Sequence, residues 1–136
     1  MTKFAVPGGL RTTGQSINSA GVVAGYYTES TGPIHGFVRD ANGAIKTFNA
    51  VGATQTAAVA INGAGTVIGT YIDKGGAYHG FVRSAKGAMN KLDVPGAGGT
   101  ANAHGTFPTA INDKGEITGY YTDSNNLTHG FIRSAP

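Results

Sequence analysis

The sequence predicts an all-β fold built from like units, and three observations carry that prediction. One stretch of sequence occurs three times with a period of about 45 residues, which marks an array. Short runs of alternating apolar and polar residues are separated by Gly, Asn, Asp and Ser, with no 3.6-residue periodicity. Of 136 residues 23 are glycine and only 12% are charged, so the chain turns often and its surface is made of Thr, Ser and Asn rather than ion pairs.

The first copy reads Ile17-Asn18-Ser19-Ala20-Gly21-Val22-Val23-Ala24-Gly25-Tyr26-Tyr27, then Ile34-His35-Gly36-Phe37-Val38-Arg39. The second runs from Ile61-Asn62 to Gly69-Thr70-Tyr71, then Tyr78-His79-Gly80-Phe81-Val82-Arg83. The third runs from Ile111-Asn112 to Gly119-Tyr120-Tyr121, then Thr128-His129-Gly130-Phe131-Ile132-Arg133. In each, a small apolar strand ends at Ile-Asn. An Asn-x-x-Gly turn follows, in which Gly21, Gly65 or Gly115 takes the positive φ that closes a tight hairpin. Along the second strand Val23, Gly25 and Tyr27 recur as Val67, Gly69 and Tyr71 and as Ile117, Gly119 and Tyr121, the pattern of a packing face. Val22, Ala24 and Tyr26 change from copy to copy, so that face is expected at the surface. The third strand is His-Gly-Phe-Val/Ile-Arg, and the fourth is Thr47 to Gly52 or Lys91 to Gly96.

The third copy reaches Ser134-Ala135-Pro136 without a fourth strand. At the other end of the sequence Lys3-Phe4-Ala5-Val6-Pro7-Gly8 matches Lys91-Leu92-Asp93-Val94-Pro95-Gly96 in four of six positions. The expected architecture is therefore a β-propeller of three four-stranded blades per chain, at about 9–52, 53–96 and 97–136, with the N-terminal strand 3–8 closing the last blade. Three blades are too few for a ring of about four to eight. The expectation is a homodimer forming a six-bladed ring, with a nine-bladed trimer as the alternative.

These units resemble the HAF-type bacterial extracellular repeat family, whose pattern of Ile-Asn-x-x-Gly-x-(Ile/Val)-x-Gly-x-Tyr, His-(Ala/Gly)-Phe and a strand ending near Pro-Gly-Ala is matched by Ile61 to Tyr71, His79-Gly80-Phe81 and Val94-Pro95-Gly96-Ala97. The resemblance implies a secreted, propeller-like repeat protein without a shared catalytic residue set. Met1 to Pro7 has no apolar run of signal-peptide length, so the chain itself leaves the compartment open.

Composition narrows the function. Without cysteine there are no disulfides, thiolate metal sites or thiol nucleophiles. The net charge of +3 is spread singly over Lys3, Arg11, Lys46, Lys74 and Lys91 rather than clustered on one patch, so no nucleic acid partner is expected. No run approaches the roughly 18 apolar residues of a membrane-spanning helix, and no membrane partner is expected.

His35, His79 and His129 hold one position in three successive units and do not converge, so no metal is expected. Their expected partners lie within each unit, Asp73 and Asp123 across the hairpin and Glu29 in the first. Arg39, Arg83 and Arg133 are expected to pair with Asp40, Asp73 or Asp123 or to meet a ligand carboxylate. Asp113 and Glu116 read as solvated hairpin residues. No nucleophile elbow or phosphate loop is present, and no catalytic residue or cofactor is assigned.

His104 has no counterpart in the other copies. The link from Gly96 to Ile111 is six residues longer than the links from Gly8 to Ile17 and from Gly52 to Ile61. That insertion is the expected ligand site, at a rim shared with the loops between second and third strands. His104 would be its titratable group, Phe107 an apolar wall, Asn102 a polar contact, and Arg11 a partner from the equivalent link. A surface insertion without function is the competing reading. The expected function is a non-catalytic binding or interaction module for a small polar or glycan ligand. The alternatives are an enzyme on a small polar substrate with His104 as base, and a lectin using Tyr.

Overall fold

The computed structural model describes residues 1–30, 32–98 and 104–135, and in them the chain is all-β. Strands β1 (Arg11–Ile17), β2 (Val23–Thr28), β3 (Ile34–Arg39) and β4 (Ile45–Phe48) form an antiparallel sheet in that order. The same meander follows in β5 (Ala53–Ile61), β6 (Val67–Asp73), β7 (Tyr78–Arg83) and β8 (Met89–Leu92), then in the three strands β9 (Gly105–Ile111), β10 (Ile117–Thr122) and β11 (Thr128–Arg133). A single parallel bridge, Tyr78 to Gly105, joins β7 to β9 and makes one seven-stranded sheet of the second and third meanders.

Short polar side chains set the turns. The Oδ1 atoms of Asn18, Asn62 and Asn112 accept the backbone N–H four residues on, at 3.0, 2.9 and 2.9 Å. Gly21, Gly65 and Gly115 complete these turns at φ of 77°, 80° and 84°, a conformation that costs glycine nothing. Asp73 and Asp123 organise the β6–β7 and β10–β11 turns, each Oδ1 accepting two backbone N–H groups.

The register recurs three times, with Tyr27 opposite His35, Tyr71 opposite His79 and Tyr121 opposite His129. Two residues along, Gly69 faces Phe81. An added Cβ at Gly69 would stand 2.1 Å from the Ala57 carbonyl oxygen and 2.6 Å from the Phe81 ring. The glycine is therefore what lets the bulged first strand and the aromatic ring approach together.

The meanders stack face to face. Ala24, Val22 and Val38 of the first cover Ala58, Ile61, Val67 and Phe81 of the second. Ile68, Ala60 and Val82 of the second cover Ile117, Ile111 and Phe131 of the third. The variable face expected at the surface is thus interior: Ala24 and Ile68 are completely buried. Its residues differ from copy to copy because each must fit a different neighbour. Only the two outermost faces stay open, leaving Ile17 66% and Ile132 81% exposed, whereas Ile61, in the place of Ile17, is 7% exposed.

Within one chain, residues 3–8 do not reach the last meander, whose closing strand is expected from the partner chain. They form no strand, and the outer edge of β11 has no neighbouring strand among the described residues. Phe4 and Val6 instead cover Phe37 and Tyr27 of the first meander. Phe4 meets Phe37 edge-on at 5.9 Å, as Phe48 meets Phe81. The Val6 N–H donates to Thr12 Oγ1 at 3.0 Å, as the Ala50 N–H donates to Thr56 Oγ1. The segment therefore lies against the first meander as the end of β4 lies against the second.

Gly69→Ala should lower stability by about 1–3 kcal/mol, the usual range for overpacking. Gly32→Ala, where an added Cβ meets nothing within 4 Å, should change it by less than about 0.5 kcal/mol. Urea unfolding of the two variants checks the contrast, and equal effects would refute the close approach at Gly69.

Candidate functional site

Chemically distinctive residues gather at two ends of the stacked meanders. At the end carrying the β2–β3, β6–β7 and β10–β11 loops, each third-strand histidine lies on the tyrosine opposite it, with ring centroids 5.2, 4.9 and 5.0 Å apart. His79 stands between two carboxylates, Nε2 at 3.1 Å from Asp73 Oδ2 and Nδ1 at 2.9 Å from Asp93 Oδ2. Lys91 Nζ lies 2.8 Å from the same Asp93 oxygen, a hydrogen bond that raises the lysine above its ordinary value. Burial raises the neighbouring Tyr71 phenol as well. His129 repeats the aspartate contact, 3.0 Å to Asp123. His35 faces Asn49 at 2.7 Å through Nδ1. These separate contacts are the intra-unit partners the sequence suggests for His79 and His129, and among the described residues no cluster of His, Asp and Glu has the geometry to hold a metal ion.

His104, at the end of the insertion, meets the same end. Thr106 Oγ1 accepts the Val94 N–H at 2.9 Å, the counterpart of Thr12 with Val6 and Thr56 with Ala50, which assigns the six extra residues to 99–104. His104, the last of them, is buried. Its Nε2 donates to Asn126 Oδ1 in the β10–β11 turn, where Asn126 takes a φ of 63° at the place Gly76 holds in the second meander. Nδ1 is buried with no hydrogen-bond partner among the described residues, packed on Gly98. The His104 carbonyl accepts the Tyr78 N–H at 3.3 Å beside the parallel bridge. His104 thus ties the second meander to the third.

The remaining candidates do not join it. Phe107 lies in a row of rings between Tyr78 (5.3 Å) and Tyr120 (4.9 Å, stacked). Arg11 is exposed at the start of β1, opposite Thr28. Asn102 lies outside the described residues. Within one chain the structure brings His104, Asn126 and Tyr78 together, and leaves Arg11 on the first meander.

At the opposite end, two clefts open between consecutive meanders. The first, about 310 Å³, is lined by Asn18, Val38, Asp40, Lys46 and Arg83 along with the Gly63–Gly65 turn. The second, about 540 Å³, is its counterpart between the second and third meanders, with Asn62, Val82, Lys91, Lys114 and Arg133. Asparagine amides cross both junctions: Asn18 Nδ2 donates to the Asn62 carbonyl and Asn62 Nδ2 to the Asn112 carbonyl, each at 3.0 Å. Asp113 is exposed, and it accepts the Gly63 N–H at 2.7 Å across the second junction. Glu116, also exposed, takes the Asn112 amide at 2.6 Å.

The arginines form no ion pair with the expected aspartates. Arg83 and Arg39 lie over the rings of Phe48 and Phe4, with Cζ 4.7 and 5.1 Å from the centroids. Their Nη1 groups donate to the carbonyls of Ser84 and Asp40. These clefts are the feature sequence reasoning missed, because each wall is ordinary in its own unit and only the stacking of units sets the two walls opposite one another. The recurrence of Arg four residues after each His was the available signal.

No family model matches the chain, and neither a curated protein nor a solved structure matches it.

Hydrogen bonds from His79 and His129, then from backbone N–H groups, hold Asp73 and Asp123 below the ordinary carboxylate value of 3.8. A carboxyl depressed in the folded state adds stability above its unfolded value and loses it as pH falls through the folded one. Urea midpoints should therefore drop steadily below about pH 4, and Asp73→Asn should make that drop shallower. An unchanged slope in the variant would remove Asp73 from the account.

Proposed function

We propose that this protein is a self-assembling binding module in which two chains join head to tail as a six-bladed β-propeller, with ligands held between blades. The observation that carries the reading is the placement of residues 3–8. They lie on the first meander as an outer strand lies on the next blade, yet they have no blade of their own.

The missing blade has a matching vacancy. In the first meander Gly36 of β3 stands opposite Phe48 of β4, and a Cβ there would meet the Phe48 ring at 2.6 Å. In the third, nothing lies nearer than 3.9 Å to the same point on Gly130. Phe4 is the sequence counterpart of Phe48, so in the joined pair its ring covers Gly130 of the other chain while keeping its contact with Phe37. The open face beside it, a hollow of about 400 Å³ lined by Ala110, Ile111, Thr118 and Ile132, is the counterpart of the surface that covers Ile61. Ile17 of the second chain is the matching knob. Burying an isoleucine of this exposure contributes about 1.5–3 kcal/mol, and each ring closes two such joints. Glu116 and Thr118 replace the apolar Val22 and Ala24 of the first meander, which suits a face that meets water before assembly. The resemblance to HAF-type repeats supports the propeller reading.

Light scattering of the 136-residue chain at micromolar concentration should give twice the mass of one chain. Gly130→Leu, which fills the slot for Phe4 in a place where the single chain has room, should give a folded monomer with unchanged far-ultraviolet circular dichroism. A monomeric parent protein would overturn the assembly, and a threefold mass would replace six blades by nine.

A further inference from the structure

We propose that the clefts between consecutive meanders are binding sites for small organic anions carrying a carboxylate, with Arg83 as the anchoring group of the first cleft and Arg133 as that of the second. The inference deepens the binding-module reading and rests on it, but not on ring closure, because both clefts lie within one chain.

Arg83 is 9% exposed, and among the described residues no carboxylate pairs with it. Its one hydrogen bond is to the Ser84 carbonyl at 3.4 Å, Nε has no partner, and its underside is taken by the Phe48 ring. Removing a guanidinium from water without a counter-charge is costly. Burial already lowers Arg83 from its ordinary value. The residue nevertheless forms a wall of a cleft of about 310 Å³, the size of a small-ligand site.

The other charges of this cleft are Lys46 and Asp40. The Asp40 carboxylate is engaged by its own turn, where Oδ1 accepts the Asn42 and Ala44 N–H groups at 2.9 Å. Lys46 and Arg83 outnumber Asp40, so the lining carries a net positive charge. In the second cleft Arg133 and Lys114 outnumber Asp113, whose Oδ1 is taken by the Gly63 N–H, while the Lys91 ammonium is held by Asp93. A carboxylate on a body of sugar size would meet the outward N–H groups of the guanidinium, in the pairing that arginine makes most strongly, while Val38 or Val82 supplies an apolar wall.

The probe is D-glucuronate, with acetate as the bare carboxylate and D-glucose as the uncharged counterpart, read by amide shifts in two-dimensional NMR of the parent protein. Glucuronate at millimolar concentration should shift the amides of Gly63 to Gly65 and of Gly115, acetate should compete, and glucose should leave them unmoved. Arg83→Gln should weaken the Gly63–Gly65 response at least tenfold and spare that of Gly115, and Arg133→Gln should do the reverse. Should Arg83→Gln fail to fold, Arg133→Gln, at the less enclosed cleft, gives the same reading. Glucose shifting the same amides would overturn the anion preference and leave the binding module standing. No response to any of the three, or arginine variants within twofold of the parent, would overturn the proposal.

Discussion

Phe48 is the side chain on which the stacking of neighbouring sheets depends. Its ring lies on Gly36 of its own sheet, edge-on to Phe81 of the next, and beneath the guanidinium of Arg83. One ring thus sets the distance between two sheets, and it does so only because the residue opposite it is glycine and the residue beyond it is a long cation with an apolar stem. Leu92 holds the corresponding place at the second junction, where it packs with Ile68 and Ile117 and its carbonyl comes as close to Gly80 as the Phe48 ring does to Gly36. At the open end of the first sheet Phe4 holds that place with respect to Phe37 and Arg39.

Much of this was legible in the sequence because it is local. An Asn-x-x-Gly turn needs one side-chain acceptor and one left-handed residue, and both are written within four positions. The opposition of His and Tyr follows from hairpin register, so the Asp73–His79 and Asp123–His129 contacts can be anticipated from spacing. The division into alternating faces was legible too, but the fate of each face was not. Alternation marks two sides of a strand without saying what lies beyond either side, and a surface of Val22, Ala24 and Val38 reads the same whether water or another sheet covers it.

The candidate site was less legible for a related reason. His104 drew attention by being unmatched, and the structure gives it a partner, Asn126, in a loop that nothing in its own segment identifies. Its burial and its contact with that turn suit a brace between two meanders. The arginines, by contrast, recur in every unit, and the sequence leaves them between pairing with an aspartate and meeting a ligand carboxylate. Repetition does not separate a structural group from a binding group when the space between units is itself repeated, and that no carboxylate among the described residues pairs with Arg83 became visible only with both walls in place.

The run of asparagines carries one more implication. Asn18 hands its amide to Asn62, and Asn62 to Asn112, so every link points the same way along the stack. At the far end Asn112 turns back on Glu116, while at the near end the Asn18 carbonyl receives no amide from a preceding sheet among the described residues. A polarity of this kind contains no instruction to stop, since each added copy presents the same two ends as the one before. In the proposed ring, what limits the count is curvature. A small change in the angle between sheets would turn the proposed ring into a helical fibre.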